Sequence, residues 1–317
     1  MPRPLTYQSS QAVIKYMNPN KRFQVSQCCP GFHRVDKIVP LRLECLRLND
    51  DKTTINNCIY RVWEPQQGYM PSKYSNSIRF NPYIMFDTID NIDDTLSGCD
   101  VRKTNPIYNE HVQLYSRDRN LDVKKLLGLM FGGRKEVHIK WLDLRFCSSM
   151  VPLPPGLKLN VEEINIGSID PKNLDYFVLA EPVKAVHISN LKFPHRTILK
   201  SKKLVISHLR DVIEGTVVAR LLFYIKSVHI DQISGGELLQ FIQIIIREWK
   251  SREQVPGTRL SAISYSDVPA ILKIIEEEFH GKSLSDQYIK VPLRHSTSVH
   301  ISFVKFDGGF WLEMKTF

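Results

Sequence analysis

The residues able to do chemistry in this chain come in a few small groups. Cys28-Cys29 with His33 brings thiols and an imidazole together. A zinc site draws its thiolates from Cys-x-x-Cys spacings, and adjacent cysteines do not easily both face one tetrahedral ion. The pair therefore reads as buried in a helix. Asp87, Asp90, Asp93 and Asp94 invite a calcium loop. Counting from Asp90, however, the sixth position is Thr95 and the twelfth is Arg102, where that loop needs Gly and a bidentate Glu. They read as a solvated acidic loop. Gly132-Gly133-Arg134-Lys135 has the composition of a phosphate cradle, but a cradle runs from a strand into a helix and this segment follows a helical pattern. It reads as a helix stop. Neither a Gly-x-Ser-x-Gly elbow nor a His-Glu-x-x-His pair occurs. The expectation is a chain with no catalytic residue, no metal and no cofactor.

Four imidazoles share one context. Val-His-Ile occurs at 137–139, 186–188, 228–230 and 299–301. Alternation of this kind is what a half-buried strand shows, so each His reads as the outward residue between two inward ones. Lys200, Lys202 and Lys203, with Arg196 nearby, form the densest basic knot. Solvated strand ends explain it. A nucleic-acid reading needs the knot to join other cations in one patch, with affinity falling steeply in salt.

These groups must be carried by elements whose periods can be read. Val13, Ile14 and Met17 share one face of a helix over 8–17, which Asn18-Pro19-Asn20 ends. Short helices over 20–28 and 32–38 follow. From Pro40 the period shortens to two, giving a strand over 41–48, a turn at 49–51 and returning strands over 53–62 around Asn56-Asn57. Residues 64–110 show no sustained period. Leu121–Phe131 reads as an amphipathic helix stopped by Gly132-Gly133. Beyond it, strands ending in Ile at 139, 166, 188, 206, 230 and 301 recur in steps of 27, 22, 18, 24 and 71 residues. Helices over 237–248 and 267–279 flank a strand near 260–265. Such spacing marks a loosely leucine-rich-repeat-like solenoid, although the Leu/Asn ladder is absent and an irregular sheet with helical crossovers fits nearly as well.

The fold expected is α+β: a helical segment over 1–40, a small β meander over 41–63, an irregular linker over 64–115, and a repeat-like interaction domain over 116–317. Composition is compatible with this. The 317 residues are 43% hydrophobic and 24% charged, with a net charge of +10, which excludes disordered and fibrous classes. The longest apolar runs, Val217–Ile225 and Leu238–Ile246, fall well short of the ~20 residues a spanning helix needs. The first residues lack the apolar core of a signal peptide. Six cysteines in a chain of this length do not make a disulfide scaffold. An intracellular protein, cytoplasmic or nuclear and with free, mostly buried thiols, is expected.

The run Pro4-Leu5-Thr6-Tyr7, then Val13-Ile14-Lys15-Tyr16-Met17-Asn18-Pro19, then Arg22 to Phe32 resembles an F-box. It departs in two places. Leu-Pro is inverted to Pro4-Leu5, and Phe32-His33-Arg34 stands where an aromatic-basic pair is usual. Together with Ser26-Gln27-Cys28-Cys29-Pro30, Leu126–Arg134 and Glu248-Trp249-Lys250-Ser251-Arg252 before Pro256-Gly257-Thr258, the chain resembles a nematode-expanded family of uncharacterised F-box-like proteins. The resemblance implies a non-enzymatic substrate receptor of a Skp–cullin–F-box ubiquitin ligase. Pro4, Leu5, Val13, Ile14 and Met17 would dock in the Skp-type adaptor, and the C-terminal domain would bind a client protein. The alternative is a stand-alone protein-interaction module in which those residues pack the helices onto the strand at 41–48. Exposure of Val13, Ile14 and Met17 separates the two. A nucleic-acid binder ranks third, and no membrane partner is expected.

Overall fold

The computed structural model describes residues 6–49, 52–63, 78–81, 84–88, 110–115, 119–147, 153–167, 169–177, 179, 182–189, 195–209, 212–233, 237–252, 257–264, 268–294, 296–306 and 309–317. Two compact units result: Met1–Asn165 with Asn173–Glu181, and Ile166–Lys172 with Pro182–Phe317.

The N-terminal unit opens with α1 (Tyr7–Tyr16), α2 (Pro19–Cys28) and α3 (Pro30–Ile38). Thr6 caps α1 by accepting from the Ser9 amide, and Asn18 caps α2 by accepting from the Asn20 amide. Pro19 and Pro30 sit in the first turns, where a missing N–H leaves no bond unmade. The same Asn18-Pro19 that stops one helix thus starts the next. Then come β1 (Leu41–Asn49), β2 (Lys52–Ile55), β3 (Cys58–Trp63), β4 (Ile78–Asn81), β5 (Ile84–Thr88), β6 (Glu110–Tyr115), α4 (Arg119–Phe131), β7 (Glu136–Phe146) and β8 (Lys158–Gly167). Their order across the sheet is β8-β7-β1-β2-β3-β6-β5-β4.

Parallel pairing joins β8 to β7, β7 to β1 and β3 to β6, and the other neighbours run antiparallel. The β2–β3 turn places Asn56 at φ 54°, a left-handed conformation Asn tolerates. Its Oδ1 accepts from the Glu44 and Cys45 amides, which fixes the hairpin against β1.

The C-terminal unit contains β9 (Ala185–Ile188), α5 (Arg196–Leu199), β10 (Lys203–Ile206), α6 (Val212–Leu221), β11 (Ser227–Ile230), α7 (Leu238–Ser251) and β12 (Arg259–Ser264). Next are α8 (Val268–Phe279), β13 (Lys282–Ser285), β14 (Tyr288–Pro292), β15 (Ser298–Phe306) and β16 (Gly309–Thr316). The order is β9-β10-β11-β12-β16-β15-β14-β13, with β9 to β12 parallel and the rest antiparallel. Consecutive parallel neighbours joined by right-handed crossovers carry their helices on one face. Leu204, Ile206, Val228, Ile230, Leu260 and Ala262 are buried toward that side, as are Phe241, Ile245 and Trp249 of α7.

This architecture overturns the expected fold class. The described residues show large mixed sheets with short helices, and neither an F-box-like helical N-terminus nor a leucine-rich-repeat-like array. The strand at 41–49 is no part of a self-contained meander, because β1 also pairs in parallel with β7, 96 residues later (Leu41 with Val137). Strands β4, β5 and β6 lie within the stretch expected to be irregular. Val-His-Ile is not a repeat unit: β15 carries it in an antiparallel ladder, whereas β9 and β11 carry it in parallel ones. The even spacing reflects the length of a strand–crossover–strand step. In all four copies the Val and Ile are buried and the His half-buried, so the motif does mark a strand with an outward imidazole.

Candidate functional site

The N-terminal helices are held by a buried ionic cluster that local reading could not see. Asp36 on α3 is bracketed by two guanidiniums. Arg22 on α2 donates from Nε to Asp36 Oδ1 at 2.8 Å, and Arg134, just after α4, donates from Nη2 to Asp36 Oδ2. All three side chains are at most 3% exposed. The remaining donors close the open carbonyls at helix ends. Arg22 reaches Val39 and Pro40 oxygens at 3.0 Å, while Arg134 reaches the Met130 oxygen at 3.1 Å and the Asp36 oxygen at 2.6 Å. Lys37 adds bonds from Nζ to Leu129 and Met130 oxygens at 2.9 and 3.3 Å. Cations at helix C-termini answer both the unpaired carbonyls and the negative dipole end. Burial, reinforced by Arg134, pushes the Lys37 ammonium down to about 8. Gly133, at φ 75°, makes the left-handed stop that delivers Arg134 inward.

A second carboxylate repeats the arrangement. Asp143 on β7, fully buried, accepts from Arg47 Nε at 3.0 Å and from Arg145 Nη2 at 2.9 Å. Asn20 on α2 donates to the Ile55 carbonyl and accepts from Tyr60 Oη at 2.8 Å, which ties the helix to the β2–β3 hairpin. The polar groups of this unit therefore position elements.

The residues expected to dock an adaptor are divided by the structure. Ile14 is fully buried against Val35 and Val39, with Phe32 packed beside them. Val13 is 43% exposed, Tyr16 83%, and Met17 is half-buried at the end of α1. Pro4 and Leu5 lie outside the described residues, as do Asp90, Asp93 and Asp94 of the acidic cluster, whereas Asp87 sits on β5, paired with His111 on β6. Cys28 and Cys29 are exposed rather than buried in a helix, because Cys28 ends α2 and Cys29 caps α3. His33 Nδ1 shares a hydrogen bond of 2.9 Å with Ser26 Oγ. Among the described residues no three His, Cys, Asp or Glu side chains gather as metal ligands do, and no helix is long and apolar enough to cross a membrane.

The C-terminal sheet offers the other surface. On the side away from the buried residues, His229 stacks on Trp311 with ring centroids 4.9 Å apart and planes 19° apart. His300 lies 4.2 Å from Phe317 and edge-on to Tyr288, whose hydroxyl bonds His300 Nδ1. Trp311 is 38% and Phe317 51% exposed. Nothing local in the sequence announces this face. Its signals are the outward histidines of Val-His-Ile at 229 and 300 and the alternation of β16, where Trp311, Glu313 and Lys315 alternate with buried Leu312 and Met314.

Residues 120–264, from α4 to β12, match the model of a Domain of unknown function (DUF3557). No curated protein and no solved structure matches the chain.

Proposed function

We propose that the chain is a non-enzymatic recognition subunit that couples a client protein, held by its C-terminal unit, to the Skp-type adaptor of a cullin–RING ubiquitin ligase. The supporting observation is the division of α1. Ile14 anchors the helix, while Val13 and Tyr16 stay exposed on it and Met17 is half-covered. An apolar helix face without a cover suits docking in a partner's groove. The N-terminal sequence that resembles F-box-like proteins of a nematode-expanded family lends the partner class.

The complete burial of Ile14 favours a second reading, a stand-alone protein-interaction module. A pull-down with purified Skp-type adaptor decides between them, using wild type and Val13→Asp. Val13 is exposed enough that the variant should keep the wild-type unfolding temperature. Binding by wild type and at least tenfold loss in the variant supports the ligase receptor. Absence of binding by folded wild type moves the function to the stand-alone module.

A further inference from the structure

The strand registers of the C-terminal unit place a row of mostly basic side chains, interrupted by Ser227, across its outward face. Lys203 on β10 pairs with Ser227 on β11, Ser227 with Arg259 on β12, and Arg259 with Lys315 on β16. Lys315 pairs with His300 on β15, and His300 with Lys290 on β14. Six neighbouring strands thus hold one row, which at ~4.8 Å per strand extends about 24 Å. Lys202 and Lys226, both exposed, stand one residue ahead of β10 and β11. The dense basic knot is therefore one end of a stripe.

Among the described residues two carboxylates on this face are engaged: Glu313 pairs with Arg259 at 2.9 Å and Asp231 with His229 at 3.2 Å. Among the described residues no carboxylate pairs with Lys203, Lys290 or Lys315. The effect is felt locally, since burial together with Lys290 and Lys315 holds the His300 imidazole below its ordinary range. Beside the row lie Trp311 and Phe317, the latter with Lys315 Nζ 4.6 Å from its ring centroid.

We propose that this row is a track for the backbone of a single-stranded nucleic acid, with bases laid on Trp311 and Phe317. A linear polyanion carries a charge at every unit and meets a cation on most strands it crosses. An acidic peptide segment can match the charge but brings no flat bases to lay on Trp311 and Phe317. The half-exposed rings beside the track give bases a stacking surface, which a duplex with its bases already stacked does not use. This goes beyond protein-client recognition and stands independently of adaptor docking.

The test uses the full chain and a fluorescein-labelled oligo-uridine of about 12 nucleotides, within the range such sheets cover. Anisotropy should show binding whose log affinity falls linearly with log salt. Lys290→Gln and Lys315→Gln should each weaken it severalfold and flatten the salt slope by about one. Trp311→Ala should weaken it about 5- to 150-fold. Lys273→Gln, on the exposed side of α8, is the control and should change nothing. Thermal unfolding certifies each variant as folded. No binding by wild type at low salt overturns the proposal. So does binding that survives combined Lys203→Gln, Lys290→Gln and Lys315→Gln, or displacement of the RNA by a polyglutamate peptide at lower concentration than by unlabelled RNA, which would make the face a site for acidic protein.

Discussion

Asp36 sits between Arg22 and Arg134 in a setting with almost no water. One buried carboxylate between two guanidiniums makes the cluster net positive, and only the helix-end carbonyls offset the remainder. Removing the carboxylate leaves two buried cations facing each other, a change that typically costs about 3–5 kcal/mol. Asp36→Asn should therefore lower the urea midpoint strongly with the slope of the transition unchanged. Lys37 adds a test by pH. Its ammonium has a pKa of about 8 in the folded chain against 10.5 when unperturbed. Below about pH 8 both folded and unfolded states carry the proton, and burial of the charge disfavours folding. Between about 8 and 10.5 the unfolded state binds more protons, so the contribution of Lys37 to stability rises with pH. The difference in unfolding temperature between Lys37→Met and wild type should move in favour of wild type as pH rises from about 8 to 10.5. A difference independent of pH would show that the ammonium is not the cause.

Helices α6 and α7 meet at Gly215. A Cβ there would lie 3.1 Å from Phe241 Cδ2, so the absent side chain sets the distance between the two helices. Gly215→Val should cost about 1–3 kcal/mol by forcing them apart, measurable in denaturant titration. What was legible in the sequence belongs to this level. Asn18-Pro19 marks the stop of α1 and Gly132-Gly133 the stop of α4, because these are backbone constraints expressed within a few residues, whereas the second role of Pro19 and Pro30, opening α2 and α3, is not in that reading. Val-His-Ile marked strands for the same reason. Partner choice was not legible. Nothing near Leu41 says that its neighbour is Val137, and nothing near Asp36 says that Arg134, 98 residues later, will meet it. Period-two patterns name a strand and its buried face but not its place in a sheet, so evenly spaced strands that suggest a repeat array also fit a mixed sheet. The candidate surfaces fared likewise. Val13 and Ile14 lie on α1 while Met17 is the extended residue that caps its end, and which of them the core takes depends on Val35 and Val39 in another helix.

At the scale of the molecule, register gathers basic residues scattered along 113 residues of chain, from Lys203 to Lys315, into one line. The opposite end of that sheet is finished differently. β13 forms an edge, fully exposed, with Lys282 and a register shift between Ser283 and Ser285 that discourage pairing with another chain.

The place of β16 governs how this sheet can be made. It lies between β12 and β15, although the chain builds every other strand of the unit first. As the protein emerges from a ribosome, the parallel ladder β9 to β12 can assemble stepwise, each strand docking on the one before it. The open edge of β12 must then wait while some 45 further residues, 265 to 309, are translated. At typical synthesis rates that exposes an unpaired strand and its apolar inner face for seconds. The nascent chain is therefore most vulnerable to capture by chaperones, or by another nascent copy, in the interval between the synthesis of β12 and that of β16.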